Sequence, residues 1–228
     1  MKDECLICGA ELVYLEKPEE MVCALCGKNE MSRARCAQGH IVCDKCHCAG
    51  LDGILGACLA HKSADPIEIL DALMAEASCH MHGPEHHVLI GGALAAAYKN
   101  AGGQVDLPAA LSEIHSRGSQ VPGGVCGFWG ACGAGIGAGI FMSVITGANP
   151  LSEKEWGLSN LTTAGALERI GKIGGPRCCK RNCYTAALSA ADMVREHLGV
   201  EMTCKTPVCS RFSENNQCLG AKCPYFPK

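Results

Sequence analysis

The feature that most constrains this fold is a series of paired cysteines near the start of the chain. Cys5-Leu-Ile-Cys8-Gly and Cys23-Ala-Leu-Cys26-Gly are two knuckles separated by fourteen residues. Two thiolates at this spacing can bind one tetrahedral ion from a tight turn, and the following glycine permits the positive φ of that turn. Four more residues with metal-ligand spacing follow: Cys36, His40, Cys43 and Cys46. The sequence therefore predicts eight ligands for about two zinc ions.

The spacing leaves the pairing of these ligands open. The two knuckles can share one ion while the later four residues bind the other, as in a zinc ribbon, or the pairs can alternate in a cross-brace. The longer pattern from Cys23 through Cys58 to His61 resembles a RING finger in which His61 replaces the last cysteine. Structural zinc is favoured, because closed four-ligand sites fold segments too small to fold alone. A rubredoxin-type iron site in the two knuckles is the alternative.

Cysteine usage also bears on where the protein works. Nineteen cysteines in 228 residues approach the density of a disulfide scaffold, but such scaffolds are short and secreted. The first residues, MKDECLICGAELVY, lack the apolar run of a signal peptide, so a reducing, cytoplasmic location is expected. Reduced cysteines in such numbers indicate metal. The net charge of −3 gives no basic field, so nucleic-acid binding through bulk electrostatics is not expected.

The distribution of cysteines and of helical periodicity predicts two parts. Residues 1–62 form a zinc-binding module, and residues 63–228 form an α-helical domain with a cysteine-rich C-terminal tail. Asp65-Pro66 and Gly83-Pro84 open two of the predicted helices, because proline suits the first helical position. Strand-like alternation is confined to short pieces such as ELVYLE and VEMTC. The predicted fold is therefore mainly α, with a small ribbon or RING-like N-terminal module.

One uncharged stretch raises the question of a membrane span. No charged residue occurs from Gly118 to Ser152, a length sufficient to cross a bilayer. The stretch is rich in glycine and lacks flanking basic clusters, so a helix buried in protein is the favoured interpretation and a span is not expected.

A cluster of histidines lies at the start of one predicted helix, in the segment CHMHGPEHH. The helix dipole and the free N–H groups disfavour the cationic imidazolium, so imidazoles there can bind a metal, accept a proton or recognise an anion. His82, Glu85 and His86 are the predicted catalytic residues, and His80 is the weakest candidate. Capping and packing of the helix are the alternative.

Two further cysteines, Cys126 and Cys132, lie in a glycine-rich loop that leads into the uncharged helix. A thiol at a helix N-terminus can have a lowered pKa and so be reactive, and Cys132 fits that role best. Both are predicted as catalytic thiols. Inert buried cysteines beneath closely packed helices are the alternative, because free cysteine is among the most buried residue types.

The C-terminal cysteines predict an iron–sulfur cluster. The residues concerned are Cys178, Cys179, Cys209, Cys218 and Cys223, the last of which precedes a proline. One of the two adjacent cysteines would bind a [4Fe–4S] cluster together with the three cysteines of the tail. Neighbouring Arg177, Lys180 and Arg181 would stabilise thiolates, an anionic cluster or an anionic substrate. Disulfides within the tail are the alternative.

Four segments together resemble a known family. They are CHMHGPEHH, GGVCGFWGACGAGIGAGIFMSVITGANPLS, GGPRCCKRN and CSRFSENNQCLGAKCPYFP. The resemblance is to an uncharacterised, cysteine-rich "domain of unknown function" family of archaea and anaerobic bacteria, and it covers nearly the whole chain. Members of that family are sometimes associated with SAM-dependent methyltransferase or radical-SAM proteins. The resemblance implies an anaerobic, metal-dependent setting and supplies no established reaction.

These observations favour a metal-dependent enzyme of sulfur, thiol or redox chemistry, with structural zinc and a [4Fe–4S] cluster, that acts on a small thiol or sulfur-containing substrate. The alternative is a non-catalytic zinc and iron–sulfur scaffold or carrier for a methyltransferase or radical-SAM partner. The chain has no nucleotide-binding glycine loop after a strand and no CxxxCxxC triad near its start, so methyl or radical chemistry would belong to the partner. A RING-like interaction protein that binds only zinc is a third interpretation. The sequence leaves the oligomeric state open, and a homodimer is possible.

Overall fold

The computed structural model describes residues 5–228 and begins with a small antiparallel hairpin. Strand β1 (Leu12–Val22) pairs with β2 (Asn29–Cys36), and the register is interrupted between Tyr14 and Glu19. The first cysteine knuckle precedes β1, and the second forms the turn between the strands. Gly9 and Gly27, which follow the knuckles, have φ of 71° and 70°, the left-handed conformation that the CxxCG pattern predicted.

The rest of the described chain is helical. The helices are α1 (Asp44–His47), α2 (Leu51–Ala60), α3 (Pro66–Leu73), α4 (Glu85–Asn100), α5 (Leu107–Gly118), α6 (Cys126–Trp129), α7 (Gly133–Thr146), α8 (Lys154–Ile173) and α9 (Cys179–Leu198), followed by 3-10 turns at Phe212–Glu214 and Gly220–Lys222. Asp65 caps α3 as its sequence predicts, since its carboxylate accepts the Ile67 N–H at 2.8 Å. Asp106 caps α5 in the same way.

Helix α4 is the centre of the domain and is buried from Glu85 to Tyr98. Helices α2, α3, α5, α7 and α9 all pack against it. The approach of α7 is close because both helices carry small residues at their contact: a Cβ on Gly137 would overlap the His87 carbonyl oxygen. This packing holds the N-terminal end of α4, with its histidines, against the loop that precedes α7.

The observed architecture confirms a mainly helical fold with a small N-terminal sheet. The uncharged stretch divides into α6 and α7, and α7 packs among α4, α5, α8 and α9. Within residues 5–228, no helix has both the length and the apolarity to cross a membrane. The strand-like alternation at VEMTC does not form a strand in the described part of the chain, and Met202 of this segment is buried in the helical core.

Candidate metal centres and the cavity between the two parts

Two four-ligand groups occupy the hairpin and the turn after it. The first comprises Cys5, Cys8, Cys36 and His40, and the second comprises Cys23, Cys26, Cys43 and Cys46; within each group the ligand atoms lie within 4.8 Å of one another. Ligand pairs therefore alternate along the chain, which is the cross-brace order among the arrangements that the spacing left open. Three cysteines with one histidine, and four cysteines, are both ligand sets of structural zinc sites.

Local backbone geometry prepares some of these thiols for metal. The Cys43 N–H donates to Cys23 Sγ at 3.3 Å, and this hydrogen bond leads those that lower the pKa of the Cys23 thiol to about 6. Burial would raise the pKa of Cys36, but N–H donors led by that of His40 outweigh it and bring the pKa to about 7. Because zinc binds the thiolate form, these donors favour ion binding near neutral pH.

The residues of the longer RING-like pattern do not all come together in the structure. Cys58 is fully buried on α2 in the hydrophobic core, where burial raises the pKa of its thiol to about 12. Among the described residues, neither Cys58 nor His61 joins a metal-ligand group.

A third group joins the two parts of the molecule and consists of His47, His80 and Glu85. Glu85 begins α4, and its side chain is only 1% exposed. Its Oε2 lies 3.1 Å from His47 Nδ1, and its Oε1 lies 3.4 Å from His80 Nδ1. Burial opposes ionisation of Glu85, but the two imidazoles outweigh it and hold the pKa of the carboxyl well below its usual range. A Cβ on Gly83 would overlap Glu85 Oε2, so only glycine fits there.

His86 turns away from this group into the interior. Its Nδ1–H donates to the Gly83 carbonyl oxygen at 3.2 Å, and its Nε2 lies 3.8 Å from Cys79 Sγ. Burial lowers the pKa of His86 to about 3, so the imidazole is neutral. Buried Lys180 completes this network by donating to Cys79 Sγ at 3.3 Å and to the His80 carbonyl oxygen at 2.9 Å.

A cavity of about 200 Å³ lies between the N-terminal segment of residues 5–48, here called the hairpin module, and the helical domain that follows it. The titratable and charged side chains in its lining are Cys5, Tyr14, Arg35, His40, Asp44, His47, His80, His82, His87, Cys126, Arg177 and Cys179. Two contacts fix the walls relative to each other. The Gly123 N–H donates to Asp44 Oδ2 at 2.7 Å, and the Arg177 guanidinium donates to the Tyr14 hydroxyl. His86, one of the predicted catalytic residues, does not line this cavity.

The hydrogen bonds of two cavity histidines fix their tautomers. The Cys179 N–H donates to His82 Nδ1 at 3.4 Å, so the proton is on Nε2, which lies 3.4 Å from Asn215 Oδ1. His87 donates its Nδ1–H to the Val121 carbonyl oxygen at 3.0 Å, and burial lowers its pKa. His87 Nε2 is therefore unprotonated, and it lies against Gly133 at the start of α7.

The two loop cysteines differ in position. Cys126 lines the cavity, and burial raises the pKa of its thiol. Cys132 is at the N-cap of α7, as predicted, but lies behind the wall, where Asn182 Nδ2 donates to its Sγ at 3.2 Å. The catalytic roles of both cysteines, and those of His82, Glu85 and His86, stay predictions.

A second, more enclosed cavity brings the C-terminal cysteines together. Cys178, Cys209, Cys218 and Cys223 all line it, as do Arg181 and Arg211. Cys178 is the N-cap of α9, and burial raises the pKa of its thiol. Cys179 instead faces the first cavity, and burial raises its pKa to about 12. The sequence left open which of the two adjacent cysteines joins the tail; the structure brings Cys178 to it.

Several residues of these sites could not be identified from the sequence. His47 lies between two cysteines of the module, and only the docking of the module places it beside Glu85, 38 residues further along the chain. Tyr14 and Arg35 belong to the hairpin and carry no local pattern. Buried Lys180 was noted only for its charge, because nothing in the sequence connects it with Cys79.

The comparisons with curated proteins and with solved structures give no match. A family described as a family of unknown function, DUF5714, matches residues 54–226. The match begins after the eight hairpin ligands and includes the histidine cluster, the helical wall of the cavity and the C-terminal cysteines. It confirms the resemblance that the four sequence segments indicated. Because the match covers well over half of the chain, this protein belongs to the DUF5714 family.

Proposed function

We propose that this protein is a metal-dependent enzyme of thiol or sulfur redox chemistry, in which the larger cavity binds a small thiol or sulfur-containing substrate and the C-terminal cysteines bind a [4Fe–4S] cluster. One observation carries the proposal: the adjacent residues Cys178 and Cys179 line the two different cavities. A cluster bound by Cys178 would therefore be separated from the substrate cavity by little more than one peptide unit.

The donor set of the second cavity fits a cluster better than a single ion. Among residues 5–228, no three of Cys178, Cys209, Cys218 and Cys223 have their sulfur atoms all within 4.8 Å, as the hairpin ligands do. Four irons connect more widely spaced thiolates than one zinc ion does. The space between the side chains is about 10 Å³, so the tail must open to receive a cluster.

The charges around this cavity support the same assignment. Arg181 is buried, and its Nη2 donates to the carbonyl oxygens of Gly174 and Pro176 at 2.8 Å. Its Nε has no hydrogen-bond partner among residues 5–228. An anionic cluster with thiolate ligands is a suitable neighbour for this buried cation, since buried charges need compensation.

The larger cavity suits a small anionic or thiol substrate. Arg177 and Arg35 supply positive charge, Cys126 supplies a thiol, and the unprotonated Nε2 of His87 can accept a proton. Joining two thiols in a disulfide breaks two S–H bonds and releases two protons and two electrons. A bound iron–sulfur cluster passes one electron at a time, so the two electrons would leave in two successive transfers through the cluster to an external one-electron acceptor. Zinc bound by the two hairpin groups would stabilise the wall of the cavity that faces the helical domain.

Metal analysis after anaerobic purification tests this proposal. We expect about two zinc, about four iron and about four sulfide per chain. Cys178→Ala should lose the iron and sulfide and keep the zinc, whereas Cys204→Ala, which removes an exposed thiol, should keep all three. Zinc as the sole metal in the wild-type protein would contradict the proposal.

The carrier hypothesis is the second candidate. The adjacent residues Phe128 and Trp129 are 47% and 59% exposed, and Trp129 lines the larger cavity, so the two rings offer an apolar surface beside the cavity to a methyltransferase or radical-SAM partner. A carrier predicts turnover only with the partner present and dependence on the cluster ligands alone. An enzyme predicts that Cys126→Ala or His87→Gln abolishes turnover while the metal content stays the same.

A further inference from the structure

We infer that His47, His80 and Glu85 form a third metal site, which takes a single divalent transition-metal ion at the wall of the larger cavity. This inference does not depend on the iron–sulfur cluster or on the proposed reaction. It starts from three buried polar atoms that lie close together: within residues 5–228, His47 Nδ1, His80 Nδ1 and Glu85 Oε2 each lack a hydrogen-bond partner.

These atoms are close enough to interact but are not aligned to do so. His47 Nδ1 lies 3.1 Å from Glu85 Oε2, yet the approach does not meet hydrogen-bond geometry. Leaving a buried polar group without a partner is costly, and such groups are rare in folded proteins. Three in one place indicate an ion between them.

The distances are those of ligands that share an ion. Two ligands bound at about 2.0–2.1 Å to a tetrahedral ion lie about 3.3 Å apart. His47 Nδ1 lies 3.1 Å from Glu85 Oε2, and His80 Nδ1 lies 3.4 Å from the other carboxylate oxygen, Oε1. One ligand atom from each of the three residues lies within 4.8 Å of the other two.

The surroundings also hold the ligands in place. The His80 N–H donates to Glu85 Oε1 at 3.0 Å, and Lys180 Nζ donates to the His80 carbonyl oxygen. Hydrogen bonds of this kind orient metal ligands. Gly83 leaves the space that Glu85 Oε2 and the His47 ring occupy.

A neighbouring group, Cys79, Glu85 and His86, is a weaker candidate. Cys79 Sγ accepts a hydrogen bond from Lys180, and His86 Nδ1 donates to the Gly83 carbonyl oxygen. The side chains of Cys79 and His86 thus have hydrogen-bond partners without an ion, unlike the His47 and His80 Nδ1 atoms.

Two histidines and one carboxylate form the donor set of catalytic zinc and of non-haem iron(II), and three protein ligands leave a coordination position open. His47, His80 and Gly83 line the larger cavity, so that position is accessible to a small molecule. The site therefore fits zinc or iron(II), with a water or a substrate donor atom as the remaining ligand.

Cobalt(II) titration of protein that carries two zinc ions per chain, enough for the two four-ligand groups alone, tests the site by its spectrum. We expect one cobalt per chain with d–d bands of nitrogen and oxygen ligation and no thiolate charge-transfer band. This measurement uses the wild-type protein, so its result does not depend on whether a variant folds. Absence of a cobalt ion beyond the zinc, or a thiolate charge-transfer band from the added ion, would overturn the inference.

Three variants locate the ion. Glu85→Gln and His80→Ala should each weaken cobalt binding by at least about tenfold and leave two zinc ions bound. His115→Ala, which changes a half-exposed histidine on α5, should bind cobalt like the wild type. If Glu85→Gln does not fold, the test relies on His80→Ala. The His80 side chain is 20% exposed, so its removal disturbs the packing less than a change at Glu85. Wild-type affinity in His80→Ala would refute the site.

Discussion

The hairpin module and the helical domain reach a stable structure by different means. In residues 5–48, every buried apolar side chain except that of Ile41 is a cysteine, while Val22, Leu25 and Met31 are exposed. The helical domain instead buries large side chains completely, Phe141 and Ile90 among them. A segment with so small a core is expected to obtain its folding free energy from metal binding, whereas the helical domain obtains it from apolar burial.

Removal of zinc is the strongest test of this difference. A chelator should abolish amide protection in β1 and β2, because the ligands are the principal buried groups there. Protection in α4 should persist. Hydrogen exchange followed by mass spectrometry distinguishes the two regions in one sample. A hairpin that stays protected without zinc would show that its folding does not require metal.

Truncation of the helical core should have the converse effect. Phe141 is fully buried and packs edge-on against Tyr98, so Phe141→Ala should lower the free energy of unfolding of the helical domain by about 3–5 kcal/mol. Urea denaturation measures the loss, and zinc analysis should still give two ions. Trp156→Ala, at a half-exposed position, should cost much less. Loss of zinc from the folded Phe141→Ala protein would contradict the independence of the two parts.

The close contact of α4 with α7 can be tested with two glycines. In Gly137→Ala the new methyl group would meet the His87 carbonyl oxygen and Ile90, at a cost of about 1–3 kcal/mol. Gly157→Ala on α8 points into open space and should be neutral or stabilising by up to about 1 kcal/mol. Thermal unfolding of both variants checks this contrast, and equal effects would contradict it.

A smaller effect is expected from a hydrogen bond within the helical core. Tyr184 donates to Asp71 Oδ1 at 2.5 Å, and Tyr184→Phe should cost about 1 kcal/mol. Burial raises the pKa of Tyr184 above its ordinary value, and Asp71 raises it further. In the unfolded chain the hydroxyl ionises from about pH 10, while in the folded protein it stays protonated. The contribution of Tyr184 is thus complete below about pH 10 and is lost as the pH rises above it.

Chemical denaturation across this pH range measures the effect. Wild-type stability should fall more steeply above about pH 10 than that of Tyr184→Phe, because the variant lacks the titrating group. Parallel curves for the two proteins would refute a role for this hydroxyl.

Local sequence patterns were sufficient to predict part of the fold and part of the candidate sites. The knuckles, with Gly9 and Gly27 at positive φ, and the Asp65 cap depend on neighbouring residues, so a short segment determines them. The pairing of the ligands depends on the β1–β2 hairpin, which brings the first knuckle beside Cys36. Likewise, adjacent Cys178 and Cys179 are equivalent in sequence, and only the start of α9 directs them to different cavities.

The position of the larger cavity has a thermodynamic consequence. Its walls come from both the hairpin module and the helical domain, and Tyr14 and Asp44 hold one wall to Arg177 and Gly123 of the other. If the hairpin folds only with zinc bound, a molecule that contacts both walls binds only to the zinc-loaded protein. By linkage, such a ligand must raise the affinity for zinc by the same factor by which zinc raises the affinity for the ligand. The saturation of the zinc sites would then report on the occupancy of the cavity.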